Sequence, residues 1–149
     1  MAQRRIQKEL EEFSKDPTLN CSAEPIDNDV THCIGTINGP EGTPFEGGVF
    51  KLDIVFPDDY PFCPPHIKFI TKVFHPNVAP NGTIGLNILG SDWFSGLSIS
   101  KVLLSICSFL DDPNPNAPFS PDIAQIYKRN PEEYKRIARE WTQRYAKSE

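Results

Sequence analysis

Between Pro57 and Asn87 the chain is closed to long regular structure. Prolines stand at 57, 61, 64, 65, 76 and 80, with glycines at 82 and 85. A proline inside a helix or a central strand removes an N–H that the structure needs. Residues 57–65 therefore predict a fixed-shape, polyproline-like loop, with Tyr60 and Phe62 available to pack or to be presented. One short strand fits between the prolines, at His66–Ile70, and residues 73–87 predict irregular backbone.

The chain on either side is more regular. Ile6, Leu10 and Phe13 recur at i, i+4 and i+7, which predicts a helix from Ala2 to Lys15, stopped by Asp16-Pro17. Strands are predicted at Cys21–Glu24, His32–Ile37 and Val49–Phe56, the last carrying Phe50, Leu52, Ile54 and Phe56 at period two. Their short, Gly/Pro-rich connectors predict an antiparallel meander. On the C-terminal side Ser98 offers an N-cap to a helix bearing Val102, Leu103, Ile106, Cys107 and Leu110 on one face. Ser120-Pro121-Asp122 and Asn130-Pro131-Glu132-Glu133 place a cap, an N1 proline and first-turn acid before two more helices. The last of these sets Tyr134, Ile137, Ala138, Trp141 and Tyr145 on its apolar side. The expectation is one α+β domain over residues 1–149: an N-terminal helix, a four-stranded antiparallel meander, then three helices.

Composition narrows the function classes. A net charge of −5 argues against general nucleic-acid binding, which rests on neutralising phosphates. No stretch approaches the ~20 apolar residues of a membrane span. Cys21, Cys33, Cys63 and Cys107 form no CxxC pair and do not cluster with His32, His66 or His75, so no metal site is expected. With no secretory signal pattern, reduced thiols in the cytosol or nucleus are the expectation. Cys107, among Ile106, Phe109 and Leu110, reads as a core residue.

Several blocks resemble ubiquitin-conjugating enzymes in the same order. They are Arg5–Leu10, Cys21-Ser22-Ala23, Gly47–Phe50, Phe56–Phe62, His75-Pro76-Asn77, Ile99–Cys107, Asp112–Pro115 and Ala138–Thr142. One tripeptide would be weak; the ordered set is specific. The absence of extensions resembles the small subfamily that works broadly with ubiquitin ligases. The resemblance implies the ubiquitin-conjugating fold and no cofactor.

It also locates a reaction and its loss. In the family a cysteine carries ubiquitin as a thioester, and here Gly85 occupies that position between Ile84 and Leu86. The resemblance gives Asn77 the role of steadying an oxyanion and His75 that of shaping the loop. Close relatives carry aspartates where this chain has Asn87 and Ala117, acids that help position and deprotonate the attacking lysine. Nucleophile and acids are gone while the loop remains. Two readings follow: a catalytically inactive family member that binds ubiquitin, a ligase or an active conjugating enzyme, or an active enzyme whose cysteine was replaced. Asn87 and Ala117 favour the first, because a simple replacement leaves them alone. Cys63 has no cationic setting to make it an alternative nucleophile.

Three surfaces are implied besides the cleft. Arg5, Lys8, Pro61 and Phe62, with the loop Phe94-Ser95-Gly96, match the surface for RING-, U-box- or HECT-type ligases, an aromatic anchor with basic residues on its rim. Relatives have Ser-Pro-Ala at 94–96 and lysine at 63, so ligase choice is expected to differ. Ser22 matches a site where some relatives bind a second ubiquitin noncovalently. Lys101, Leu104 and Ser108 match the helix face on which a conjugated ubiquitin folds back. Ubiquitin-activating enzyme and an active conjugating enzyme complete the implied partners.

Overall fold

The computed structural model describes residues 2–15 and 20–147. The elements are α1 (Ala2–Ser14), β1 (Cys21–Ile26), β2 (Asp29–Asn38), β3 (Val49–Val55), β4 (His66–Phe69), a 3-10 turn (Asn87–Leu89), α2 (Ile99–Leu110), α3 (Pro121–Arg129) and α4 (Pro131–Tyr145). The expected stop at Asp16-Pro17 lies outside the described residues. No helix among the described residues is long and apolar enough to cross a membrane.

The four strands form one antiparallel sheet in the order β1-β2-β3-β4, the meander that the short connectors predict. The first two strands run longer than their apolar pattern suggests. Asp27 and Asn28 both take positive φ (53° and 64°), the pair of left-handed residues a tight hairpin requires and short Asp and Asn side chains tolerate. The ladder therefore continues to Ile26 and resumes at Asp29. Pro25 is accommodated because β1 is an edge strand.

Period-two alternation gives the sheet a buried face. Cys33 and Ile37 on β2, Phe50, Leu52 and Ile54 on β3, and Ile67 and Phe69 on β4 are buried, while their neighbours face outward. Ile6, Leu10 and Phe13 of α1 and Ile99, Val102, Leu103, Ile106 and Leu110 of α2 cover that face. Each such side chain contributes about 1.5–3 kcal/mol of burial. Cys107 packs at the margin of this core: it is half-buried and directs its thiol toward Asn38 C=O at 3.7 Å. It falls one position past the buried line of Leu103, Ile106 and Leu110.

The caps divide. Ser98 Oγ accepts from Lys101 N–H (3.3 Å) and Asn130 Oδ1 from Glu133 N–H (3.2 Å), as predicted. Ser120 behaves differently: its hydroxyl donates to Val78 C=O at 2.8 Å and ties the start of α3 to the loop below. On α4, Tyr134 and Ala138 are buried, but Tyr145 is 38% exposed and the buried stripe ends on Thr142.

The Pro-rich loop is a pair of tight turns rather than a polyproline segment. Tyr60 N–H donates to Pro57 C=O (3.0 Å) and Phe62 N–H to Asp59 C=O (2.8 Å), with the Tyr60–Pro61 peptide cis. These turns bury Tyr60 and leave Phe62 79% exposed.

Candidate functional site

The loop from Val73 to Leu86 is irregular but closely tied. Isolated bridges Lys68↔Thr83 and Val78↔Ile84 fold it back on itself and on β4. At Gly82 the backbone requires glycine: φ is +93°, and a Cβ there would stand 2.2 Å from Phe69 O.

His75 is fully buried at the root of this loop. Its Nδ1 accepts from Asn77 N–H (3.0 Å) and its Nε2 faces Phe109 C=O (2.9 Å) as donor, which fixes the neutral tautomer. Phe45 and Phe109 flank the ring. Burial pulls its pKa from 6.5 down to about 4, against a smaller opposing effect of the Phe109 and Leu110 backbone.

Asn77 is buried beside it, and its amide is fully engaged. Nδ2 donates to Asn114 C=O (2.9 Å) and Ala117 C=O (3.1 Å), while Oδ1 accepts from Asn114 N–H (2.7 Å). Both amide hydrogens that the implied oxyanion role would need hold the 114–117 loop instead. In this conformation Asn77 is a latch between two loops.

Gly85 lies next to that latch, half-buried, its N–H donating to Asn77 C=O at 2.8 Å. Ala117 is exposed on the latched loop. Asn87 is exposed at the first position of the 3-10 turn, and its C=O accepts from Gly90 and Asp92. His75, Asn77, Gly85 and Ala117 thus meet at one place, with Asn87 two residues along the chain from Gly85.

The surroundings of all four thiols raise their pKa. Burial pushes the Cys21 and Cys33 thiols up to about 11, and raises Cys107 as well. Cys63 is exposed, but its thiol donates to the Asp59 carboxylate (3.0 Å), and that hydrogen bond raises its pKa. An acid partner is the opposite of what a reactive thiol needs.

The residues that the resemblance matches to a ligase surface are joined through the 93–97 loop, with one reassignment. Lys8, Phe62, Phe94, Ser95 and Gly96 are exposed and Pro61 half-buried. Trp93 Nε1–H donates to Pro61 C=O (2.9 Å), joining the two loops. Arg5 is not a free rim charge: its guanidinium donates to Glu9 (2.7 Å), Ser95 C=O (2.8 Å) and Leu97 C=O (3.4 Å). Glu9, which the sequence reading passed over, is the hub. Its carboxylate also accepts from Tyr60 O–H and Ile99 N–H, both at 2.7 Å. Burial and that bond raise the Tyr60 hydroxyl well above its ordinary pKa. One carboxylate therefore joins α1, the Pro-rich loop and the start of α2. The signal was present: Glu9 falls at i+3 from Ile6, on the apolar face.

Lys101, Leu104 and Ser108 line the outer side of α2, with Leu104 40% exposed. Leu104 and Ser108 share a groove of about 340 Å³ with Leu86, the neighbour of Gly85. Ser22 stands apart, exposed on the outer face of the sheet opposite Thr36.

A fold of this topology has known counterparts. The family model for ubiquitin-conjugating enzyme matches residues 5–142. Among solved structures, the E2 domain of a Toxoplasma gondii ubiquitin conjugating enzyme superposes with a TM-score of 0.93 at 41% identity, over 99% of this chain and 100% of that one. The chain belongs to the ubiquitin-conjugating enzyme family.

Proposed function

We propose that this chain is a noncatalytic member of the family that acts in ubiquitin conjugation by noncovalent binding of ubiquitin, a ubiquitin ligase or an active conjugating enzyme. The observation that carries the reading is Gly85, a residue without a nucleophile at the family's cysteine position. The four thiols elsewhere support it: three are partly or wholly buried, and Cys63 is bonded to a carboxylate. Asn87 and Ala117 supply no acid to the cleft. The groove joining Leu86 to Leu104 and Ser108, the exposed Phe62 and Phe94, and Ser22 on the sheet are surfaces through which such a protein can bind. On this reading it works in the cytosol or nucleus, where free thiols stay reduced.

The second reading, an active carrier whose cysteine was replaced, draws on the family match running through residue 142. Incubation with ubiquitin-activating enzyme, ATP and ubiquitin separates the noncatalytic reading from a surviving carrier. Intact mass is expected to show no reductant-sensitive ubiquitin adduct on the unaltered protein; a thioester adduct overturns the noncatalytic reading. Gly85→Cys then tests the replacement. An engineered knock-out charges and discharges to lysine at a family-typical rate, whereas a natural inactive form fails at one of those steps.

A further inference from the structure

Phe119 is the residue against position 85. Its backbone is pinned, since Phe119 N–H and Ser120 N–H both donate to Pro76 C=O, at 2.9 and 3.0 Å. Pro76 lies between His75 and Asn77, so the ring is carried on the same tied loops. Gly85 is anchored to that loop from its own side through Asn77 C=O. A Cβ placed on Gly85 would stand 3.0, 3.1 and 3.3 Å from three atoms of the Phe119 ring. Carbon atoms in good contact are about 3.5–4.0 Å apart, so a methyl group here is crowded and the ring must give by a few tenths of an ångström to admit it. The Phe119 residue is 46% exposed, and the Cδ1–Cε1–Cζ side of its ring is the part nearest the glycine.

We infer that Phe119 and Gly85 form a matched pair, in which the ring crowds the space of a side chain at position 85 and shields that position from reagents and partners. Loss of the nucleophile is then built into two residues. A thiol returned to position 85 alone sits under an aromatic ring, which restricts approach and disfavours the thiolate. This inference rests on Gly85 being the family's nucleophile position; it does not depend on which partner the protein binds.

The test compares Gly85→Cys with Gly85→Cys/Phe119→Ala in the full chain. Both are treated with iodoacetamide, in which the thiolate forms a sulfur–carbon bond and iodide leaves. Modification is followed residue by residue by mass spectrometry, with exposed Cys63 as the internal reference. The introduced thiol is expected to react about tenfold faster when Phe119 is alanine, the factor given by ~1.4 kcal/mol of shielding. Equal rates overturn the pairing. A second measurement needs no new thiol: in Phe119→Ala alone, the Gly85 N–H is expected to exchange with deuterium several-fold faster, and unchanged exchange overturns the inference as well. Neither readout involves ubiquitin, so a failed pairing and a failed noncatalytic reading are distinguishable.

Discussion

Asn77 and Asn114 hold each other by a reciprocal pair of hydrogen bonds: Asn114 N–H donates to Asn77 Oδ1 at 2.7 Å, and Asn77 Nδ2 donates back to Asn114 C=O at 2.9 Å. A third bond, to Ala117 C=O, uses the remaining amide hydrogen. Asn77→Ala removes all three and is expected to cost about 1–3 kcal/mol in urea denaturation, since the loop carbonyls are exposed enough for water to replace part of the loss. Asn77→Asp keeps the acceptor but turns a carboxylate oxygen toward two carbonyls. At pH 7 it should be at least as damaging as alanine, with the excess shrinking as the acid is protonated. An aspartate variant as stable as the natural protein would remove the latch from the account.

The neutral His75 gives stability a pH dependence of definite sign. Its pKa is lowered from 6.5 to about 4 on folding, chiefly by burial. Below 6.5 the unfolded chain takes up a proton that the folded chain refuses, so stability is full above that pH and falls as pH drops toward 4. The loss amounts to about 3 kcal/mol across the window. Denaturation midpoints at pH 7, 6, 5 and 4.5 should decline accordingly. His75→Asn is expected to be less stable at pH 7 but to show a shallower decline, and parallel curves would remove His75 as the cause.

Glu9 organises the opposite end of the molecule. Glu9→Ala leaves Ile99 N–H and Tyr60 O–H without their acceptor and releases Arg5 from its partner, for an expected loss of about 2–4 kcal/mol. Glu9→Gln retains one acceptor oxygen and is expected to cost about half that. Thermal unfolding followed by circular dichroism orders the two, and a neutral Glu9→Ala would show that the three bonds carry no net stability.

The sequence read the molecule well where a repeating physical constraint acts on many residues together. Period two in Phe50–Phe56 and the i, i+4, i+7 run of Ile6, Leu10 and Phe13 each report a buried face, and both faces are buried. Single side chains were harder to read, because their roles depend on neighbours distant in the chain. Ser120 has the look of an N-cap, yet Val78 C=O offers its hydroxyl a buried acceptor 42 residues away. Arg5 matches a basic rim, but Ser95 and Leu97 present carbonyls to it from 90 and 92 residues along. The placement of Phe119 over Gly85 has no periodic signature, since it arises from two loops brought together by Pro76 C=O. The Asp27-Asn28 turn is different: its residue types were informative, and the strand pattern around it, broken by Pro25, obscured them.

Phe62 and Phe94 allow binding to be separated from folding on the proposed ligase face. Both rings are largely exposed, 79% and 60%, on loops joined by the Trp93–Pro61 bond, and Phe94 lies against Gly96, where a Cβ would come within 2.8 Å of its ring. Exposed side chains removed from such positions change stability by about 0.5 kcal/mol or less. Phe62→Ala and Phe94→Ala are therefore expected to unfold at nearly the natural temperature. If the face binds a ligase, an aromatic anchor there is worth about 2 kcal/mol or more, so each change should weaken calorimetric binding to a responsive RING- or U-box domain at least ~10-fold. Arg5→Ala should show the reverse balance, because its guanidinium is engaged within the molecule: a clear fall in unfolding temperature, and a loss of binding that follows from the loosened 95–97 loop. Unchanged binding in both phenylalanine variants, with folding intact, would remove the ligase face and leave the α2 groove and the sheet surface at Ser22 as the places where this protein meets its partners.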